Sequence, residues 1–334
     1  MKIRFITSAY GPDYGGMLLS LLYSIAKSHP GAAATVFWQD VSERDRFLPL
    51  AFPNVSFVEV ERPMGTAAIN RISNKTLLFA DALRRHGDEC LVLLDVDMLV
   101  IKPLDRFFVE HQEDVLFTYK NERWPLNTGI LLVRPSPRVV GFFLAWAERT
   151  SEILRDPELV DQAASWEYPY GGPDQMSFSQ LINFRPGQLR YNVACRGEQV
   201  TMAGVPCAEL NETNSRPVTA QTRVIHYKGG WHPILLRGTD FTAHRPKSDS
   251  FEMYLLYLRT YKEAVANASH VLGLPARRLS GGIKIPFYLD RELKESSLLY
   301  RVFAIREAVL RPLRGRLRGA RRRFRKLAQR FQCL

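Results

Sequence analysis

The 334-residue chain has only four cysteines, Cys90, Cys195, Cys207 and Cys333, and no two of them form a C-x-x-C pair. That scatter argues against a zinc site or a disulfide framework and fits a reducing compartment, so a cytoplasmic location is expected. Long hydrophobic runs are missing too: no stretch reaches the roughly 20 apolar residues that a membrane span requires. The opening "MKIRFITSAY" runs into a strand-like segment and not an apolar leader, so neither a secretory signal nor a bilayer span is expected. No internal repeat and no low-complexity linker precede about residue 240. Toward the end of the chain, acids become scarce. From Arg301 to Leu334 a single acid, Glu307, stands against twelve Arg or Lys, a net +11 of the chain's total +12. The preceding 300 residues are therefore close to neutral, and the partner implied by basicity belongs to the tail.

What is present is an ordinary globular composition, 46% hydrophobic, enough for one large α/β domain or two smaller ones. Strand-type apolar runs alternate with helix-type periodicity: "KIRFITSA", "GMLLSLLYSIAKS", "ATVFWQ", "VSFVEV", "NKTLLFADALRRH", "CLVLLDVD". That alternation predicts a parallel sheet covered by helices. Turn chemistry at His29-Pro30-Gly31 and His86-Gly87-Asp88 ends two of the helices. "DVLFTY" and "TGILLVRP" read as further strands, and "RVVGFFLAWAERTSEIL" as an amphipathic helix. "ASWEYPYGGPDQMSFSQLIN" reads as a Gly/Pro-rich loop entering a helix, and "TRVIHYKGGWHP" as a short strand ending in a loop. The expected division is a domain over 1–250, a C-terminal helical extension over 251–300 and a basic amphipathic tail over 301–334. In the tail, Leu310, Leu313, Leu317, Ala320, Phe324, Leu327 and Phe331 recur at spacings of three and four, one apolar stripe on a helix covered in arginine.

The stretch "CLVLLDVDMLV" places Asp95 and Asp97 in what reads as the middle of a buried strand. Residues two apart on a strand share a face, so the two carboxylates converge while Val96 faces away. Burying two like charges together is costly unless a cation joins them. Mn²⁺ or Mg²⁺ answers this, taking oxygen ligands and leaving positions open for phosphates. The duller alternative is a chance D-x-D at an exposed strand end.

The ordered set of segments resembles the family 8 glycosyltransferases, which have the GT-A nucleotide-sugar fold, over roughly Lys2 to Pro233. "FITSAYGPDYGGMLLSLLYSI" is similar to the family's first strand, uridine loop and helix, and "NKTLLFADAL" to the helix whose lysine reaches the donor. "LLDVDMLV" is its D-x-D, "LNTGILLVRPSP" its N-[ST]-G strand, "PDQMSFSQLIN" its D-Q helix start, and "IHYKGGWHP" its H-x-x-G-x-x-K-P loop. The resemblance implies a GT-A (Rossmann-like) mixed, mainly parallel sheet. It implies Asp95, Asp97 and His226 as metal ligands. Ser8, Ala9, Tyr10 and Tyr14 would line the uridine, Lys75 would sit over the donor, and Asn127 and Gly129 would border the sugar. Val96, Gly229 and His232 would complete the donor site, and Asp174 and Gln175 would stand beside the anomeric carbon. Each has a plainer alternative: core tyrosines, a capped strand-end histidine, a solvated lysine, an Asn-Thr-Gly turn, and Asp174 as a helix N-cap.

In place of the family's lysine before proline stand His232 and Pro233, followed by Ile234 in place of tryptophan. A histidine is only partly charged near neutral pH, so the cation for the departing diphosphate is either His232 or Lys228. The resemblance implies a retaining, Mn²⁺- or Mg²⁺-dependent transfer of a hexose, from a UDP-sugar, to a hydroxyl of a glycan or glycolipid, for instance a lipopolysaccharide. The tail suits an anionic membrane surface, which would put the enzyme peripherally on the inner face of the plasma membrane. Nucleic acid is not an expected partner, because Phe324 and Phe331 lie on the apolar stripe. The alternatives are a sugar-1-phosphate nucleotidyltransferase, whose Gly/Arg-rich loop "SAYGPDYGG" does not supply, and a non-catalytic membrane-associated scaffold.

Overall fold

Parallel strands covered on both faces should be apolar along their whole length. In the computed structural model, which describes residues 1–61, 68–120, 125–165, 171–212, 218–228, 231–232, 235 and 250–279, the central strands follow that rule. All eight residues of β7 (Leu126–Val133) are buried, as are six of the eight in β1 (Ile3–Tyr10). The other strands are β2 (Ala33–Gln39), β3 (Val55–Glu59), β4 (Cys90–Leu94), β5 (Met98–Val100), β6 (Val115–Tyr119), β8 (Arg190–Cys195), β9 (Glu198–Pro206) and β10 (Val224–His226). Eight of them form one sheet in the order β3-β2-β1-β4-β7-β6-β9-β8, with β7 and β8 reversed against the rest. The expected mixed, mainly parallel sheet is therefore what forms. The chain winds from β1 outward to β3 and returns to β4 on the opposite side of β1, so the strand order reverses between β1 and β4. Ligands bind such sheets outside the carboxyl ends of the strands at this reversal.

The α-helices among the described residues are α1 (Gly15–Ser28), α2 (Leu48–Ala51), α3 (Ala68–Arg85), α4 (Asp105–Glu110), α5 (Pro137–Arg155), α6 (Pro157–Ala164), α7 (Pro173–Leu181), α8 (Cys207–Leu210), α9 (Ser250–Leu272) and α10 (Ala276–Leu279). Their ends obey local chemistry. Ser136 caps α5 by accepting the Val139 N–H at 3.4 Å, with Pro137 in the first turn, where a missing N–H costs nothing. Asp156 does the same for α6, accepting from Glu158 and Leu159. Helices α3, α5 and α7 bury Phe79, Phe142, Phe143, Trp146 and Phe178 against Ile6, Leu93, Phe117 and Leu131 of the sheet. Helix α1 packs against β1, β5 and α9. Helix α9 belongs to the same compact unit as the sheet, Met1–Lys284, and Tyr227 is held against it, its hydroxyl donating to Met253 O at 2.9 Å. The expected continuation of the extension over 280–300 and the tail over 301–334 lie outside the described residues.

One local expectation changes. The apolar run around the D-x-D is two strands and not one: β4 ends at Leu94, β5 begins at Met98, and Asp95, Val96 and Asp97 form the bend between them. The aspartates converge because the chain turns there, not because the pleat repeats every two residues. The flanking runs are apolar because both are buried, in two different sheets: β4 in the large one, β5 paired antiparallel with β10. The β8–β9 hairpin was not among the expected elements; burial alternates along β8, and Arg196-Gly197 lie at φ 51° and 83°, the positive pair that a tight hairpin turn requires.

Candidate functional site

The carboxyl ends of β1 and β4 open into a cavity of about 440 Å³. Ser8, Tyr10 and Tyr14 reach it from β1 and the start of α1, Lys75 from α3, and Asp95, Val96 and Asp97 from the bend after β4. Asn127, Thr128 and Gly129 come from β7, Gly171, Asp174 and Gln175 from the start of α7, and His226, Lys228 and His232 from β10 and beyond. The expected site residues thus meet in one place, with two exceptions. Ala9 is buried off the cavity wall, because strand alternation turns it opposite to Ser8 and Tyr10. Gly229 lies outside the described residues.

Asp95, Asp97 and His226 each offer a ligand atom within 4.8 Å of the others. That spacing fits a single divalent ion, and an O, O, N donor set suits the Mn²⁺ class. A chain of hydrogen bonds fixes which imidazole nitrogen faces the aspartates. The Gly129 N–H can only donate, and it meets Asn127 Oδ1 at 2.8 Å. Asn211 Nδ2 donates to the same oxygen at 2.7 Å and to Thr118 Oγ1 at 2.9 Å, which leaves Asn211 Oδ1 facing His226 Nδ1 at 2.9 Å. An amide oxygen only accepts, so this network assigns the hydrogen to Nδ1. Nε2 is then the nitrogen turned toward Asp97 Oδ1 at 3.1 Å and Asp95 Oδ2 at 3.8 Å. An imidazole tethered through its outer nitrogen, with the inner one facing carboxylates, is the arrangement that a metal ligand takes. Neither Asn211 nor Thr118 was among the expected residues. Asn211 follows α8 and nothing in its local sequence marks it.

Gly129 makes the packing possible. A Cβ there would stand 2.7 Å from His226 Cε1, 2.8 Å from Asn127 Oδ1 and 2.9 Å from Met98 Cε. No side chain fits between those atoms.

Lys75 is not a solvated surface lysine. It is 4% exposed and bridges Asp95 Oδ1 at 2.8 Å and Asp174 Oδ2 at 3.3 Å. Burial works against its ammonium, but the two carboxylates more than compensate and hold its pKa above the ordinary lysine value. Asp174 is not the α7 cap either, since Gly172 occupies that position at φ 153°. Its Oδ2 accepts from Thr128 Oγ1 at 2.7 Å, its carbonyl accepts the Trp146 indole N–H at 2.9 Å, and neighbouring Gln175 Oε1 accepts the Thr128 N–H at 3.3 Å.

The two aspartates are unequal. Burial raises the Asp95 pKa against the pull of Lys75 and His226. Asp97 is buried as well, yet His226 and His232 hold it well below the usual carboxylate range. His232 bonds Asp97 Oδ2 at 2.7 Å; burial would lower its pKa, and that bond raises it instead. Its ring meets Tyr14 edge-on at 6.1 Å. Burial and then Lys120 push Lys228 below the ordinary lysine value. Tyr10 keeps its proton, because burial drives the phenol upward against the pull of Ser8 and Lys75.

A crevice at the strand-order reversal, walled by phenols on one side and a carboxylate–imidazole cluster on the other, completes a sheet of the GT-A type. Among solved structures, the glycosyltransferase GlyE of Streptococcus pneumoniae TIGR4 superposes with a TM-score of 0.52 at 10% identity, covering 83% of this chain. The chain spans 66% of GlyE's length. The galactosyltransferase LgtC, solved in complex with donor and acceptor sugar analogs, matches with a TM-score of 0.47 at 15% identity, over 87% of this chain and 100% of its own. The likeness to GlyE shows the fold. No protein-family model and no curated protein matches the sequence.

Proposed function

We propose that the chain is a metal-dependent, retaining glycosyltransferase that moves a hexose from a nucleotide-diphosphate sugar, with UDP as the nucleotide, to an acceptor hydroxyl. One observation carries this reading: Asp95, Asp97 and a tautomer-fixed His226 converge at the strand-order reversal of a GT-A sheet. A divalent ion bound by those three supplies Lewis-acid stabilisation of the charge that develops on the departing diphosphate. The chain's own residues do the rest. Tyr10 and Tyr14 offer aromatic walls and a buried hydroxyl for the base and ribose. Lys75 locks Asp95 and Asp174 in place, so the ligand carboxylate and the start of α7 move as one unit. The Thr128 hydroxyl and N–H aim Asp174 and Gln175 at the floor of the cavity, next to where the sugar would lie. Such pre-set polar groups act without reorganising during reaction.

The test is donor hydrolysis across UDP-, GDP- and CMP-sugars with and without Mn²⁺. Mn²⁺-dependent release of UDP is expected, and it should vanish in Asp97→Ala and His226→Ala. Full activity of either variant removes the metal from the reaction.

A lipopolysaccharide or other surface glycan is the acceptor this reading favours, with the 301–334 stripe holding the enzyme on an anionic membrane. Among the described residues no helix is long and apolar enough to cross a membrane. Loss of pelleting with anionic liposomes on deletion from Arg301 onward is the expected result; undiminished pelleting refutes the anchor.

A further inference from the structure

The cavity's cations are not equivalent. Lys75 is committed to Asp95 and Asp174, and His232 to Asp97. Lys228, two residues beyond His226, also lines the cavity and is partly buried; its carbonyl accepts the Trp231 N–H, yet among the described residues its ammonium forms no hydrogen bond or ion pair. It cannot drift far, because the residue before it is pinned: the Tyr227 N–H donates to Asp97 O at 2.7 Å and its hydroxyl to Met253 O.

Leaving a lysine unpaired in a partly dry cleft is destabilising, and a packed alternative would be easy to substitute. Such a residue is explained when an anion arrives to meet it. The charge balance says the same. With His226 and His232 counted as neutral, the lining carries three carboxylates, Asp95, Asp97 and Asp174, against Lys75 and Lys228, a net charge of −1. A divalent ion on the triad makes it +1, and only Lys228 then has charge not already spent on a neighbour.

We propose that Lys228 is the phosphate-binding cation of this cleft: its ammonium bonds the diphosphate of the bound nucleotide beside the metal triad, leaving His232 to position Asp97. This rests on the nucleotide-sugar reading above and deepens it, since it separates the two cations that occupy the loop after β10. A lysine serves here as a compact point charge with rotatable donors, whereas His232 is held by its Asp97 bond.

Binding of UDP and of uridine to the full chain, measured by calorimetry with saturating Mn²⁺, tests it against Lys228→Met and Lys228→Arg. Lys228→Met should weaken UDP at least tenfold and leave uridine unchanged, while Lys228→Arg keeps most of the UDP affinity. The unliganded Lys228→Met protein should melt no lower than wild type, because it loses an unpaired charge and no contact. Equal UDP affinity in wild type and Lys228→Met overturns the assignment, as does a parallel loss of UDP and uridine or a lowered melting temperature. If wild type itself binds neither UDP nor GDP with Mn²⁺, the transferase reading fails and takes this proposal with it. That outcome is distinct from a wild type that binds UDP no better than Lys228→Met does.

Discussion

At the scale of single residues, the site depends on what surrounds His226 as much as on His226 itself. Asn211 fixes the imidazole tautomer through one bond, and losing a tether of that kind typically costs 10- to 100-fold in metal affinity. Asn211→Ala should therefore raise the Mn²⁺ dissociation constant by about that factor, read by electron paramagnetic resonance of free Mn²⁺, with the far-ultraviolet spectrum unchanged. Gly129→Ala should weaken Mn²⁺ binding as well, because the added methyl displaces the imidazole from the aspartates. That two aspartates, a histidine and a lysine would meet in one place was legible from type and order. The residues that aim them were not. Asn211 and Thr128 look like any loop asparagine or strand threonine, and only the folded chain shows that their partners lie 15 and 46 residues away.

At the scale of elements, Asp114 ties three of them together. It accepts from Arg138 at 2.8 Å and 3.2 Å and from the Thr201 N–H at 2.9 Å and hydroxyl at 3.1 Å, joining the start of β6 to α5 and β9. Burial alone would raise its pKa; Arg138 and Thr201 overcome that and hold it below the ordinary carboxylate value. A depressed folded-state pKa gives stability that is full above the unfolded value, about 3.9, and disappears as pH falls through the folded value. Asp114→Asn should cost about 2 kcal/mol at neutral pH and flatten the acid limb of the urea midpoint below about pH 4. The hairpin turn offers the opposite test. Arg196 sits at φ 51°, which costs a residue other than glycine or asparagine about 1 kcal/mol, and its bond to exposed Glu148 returns less than that. Arg196→Asn should raise stability by roughly 0.5 kcal/mol in chemical denaturation. Strands and helices of the first half were readable because their apolar periods are clean. The D-x-D bend was misread because two strands of the same composition abut it, and no period distinguishes one long strand from two short ones.

At the scale of the molecule, the fold itself brings the candidate donor atoms together. The three candidate ligands come from a bend and from a strand 129 residues further on, and the two are joined by the β5–β10 pairing, with His226 opposite Met98. A site shaped in this way should not need metal to fold. Stripping Mn²⁺ with a chelator is expected to leave the circular dichroism spectrum intact and to lower stability only by the binding linkage, about 2.7 kcal/mol at a hundredfold excess over the dissociation constant. Gross loss of helix or strand on chelation would contradict the preformed triad.

The β5–β10 ladder has one more consequence. Because Ile101 donates to Arg223 at one end and Tyr227 to Asp97 at the other, each at 2.7 Å, the imidazole travels with the aspartates like two pages bound at the same spine. Warming that loosens the rim of the crevice should leave this grip closed. Bound Mn²⁺ is therefore expected to be released at the same temperature at which the whole sheet comes apart.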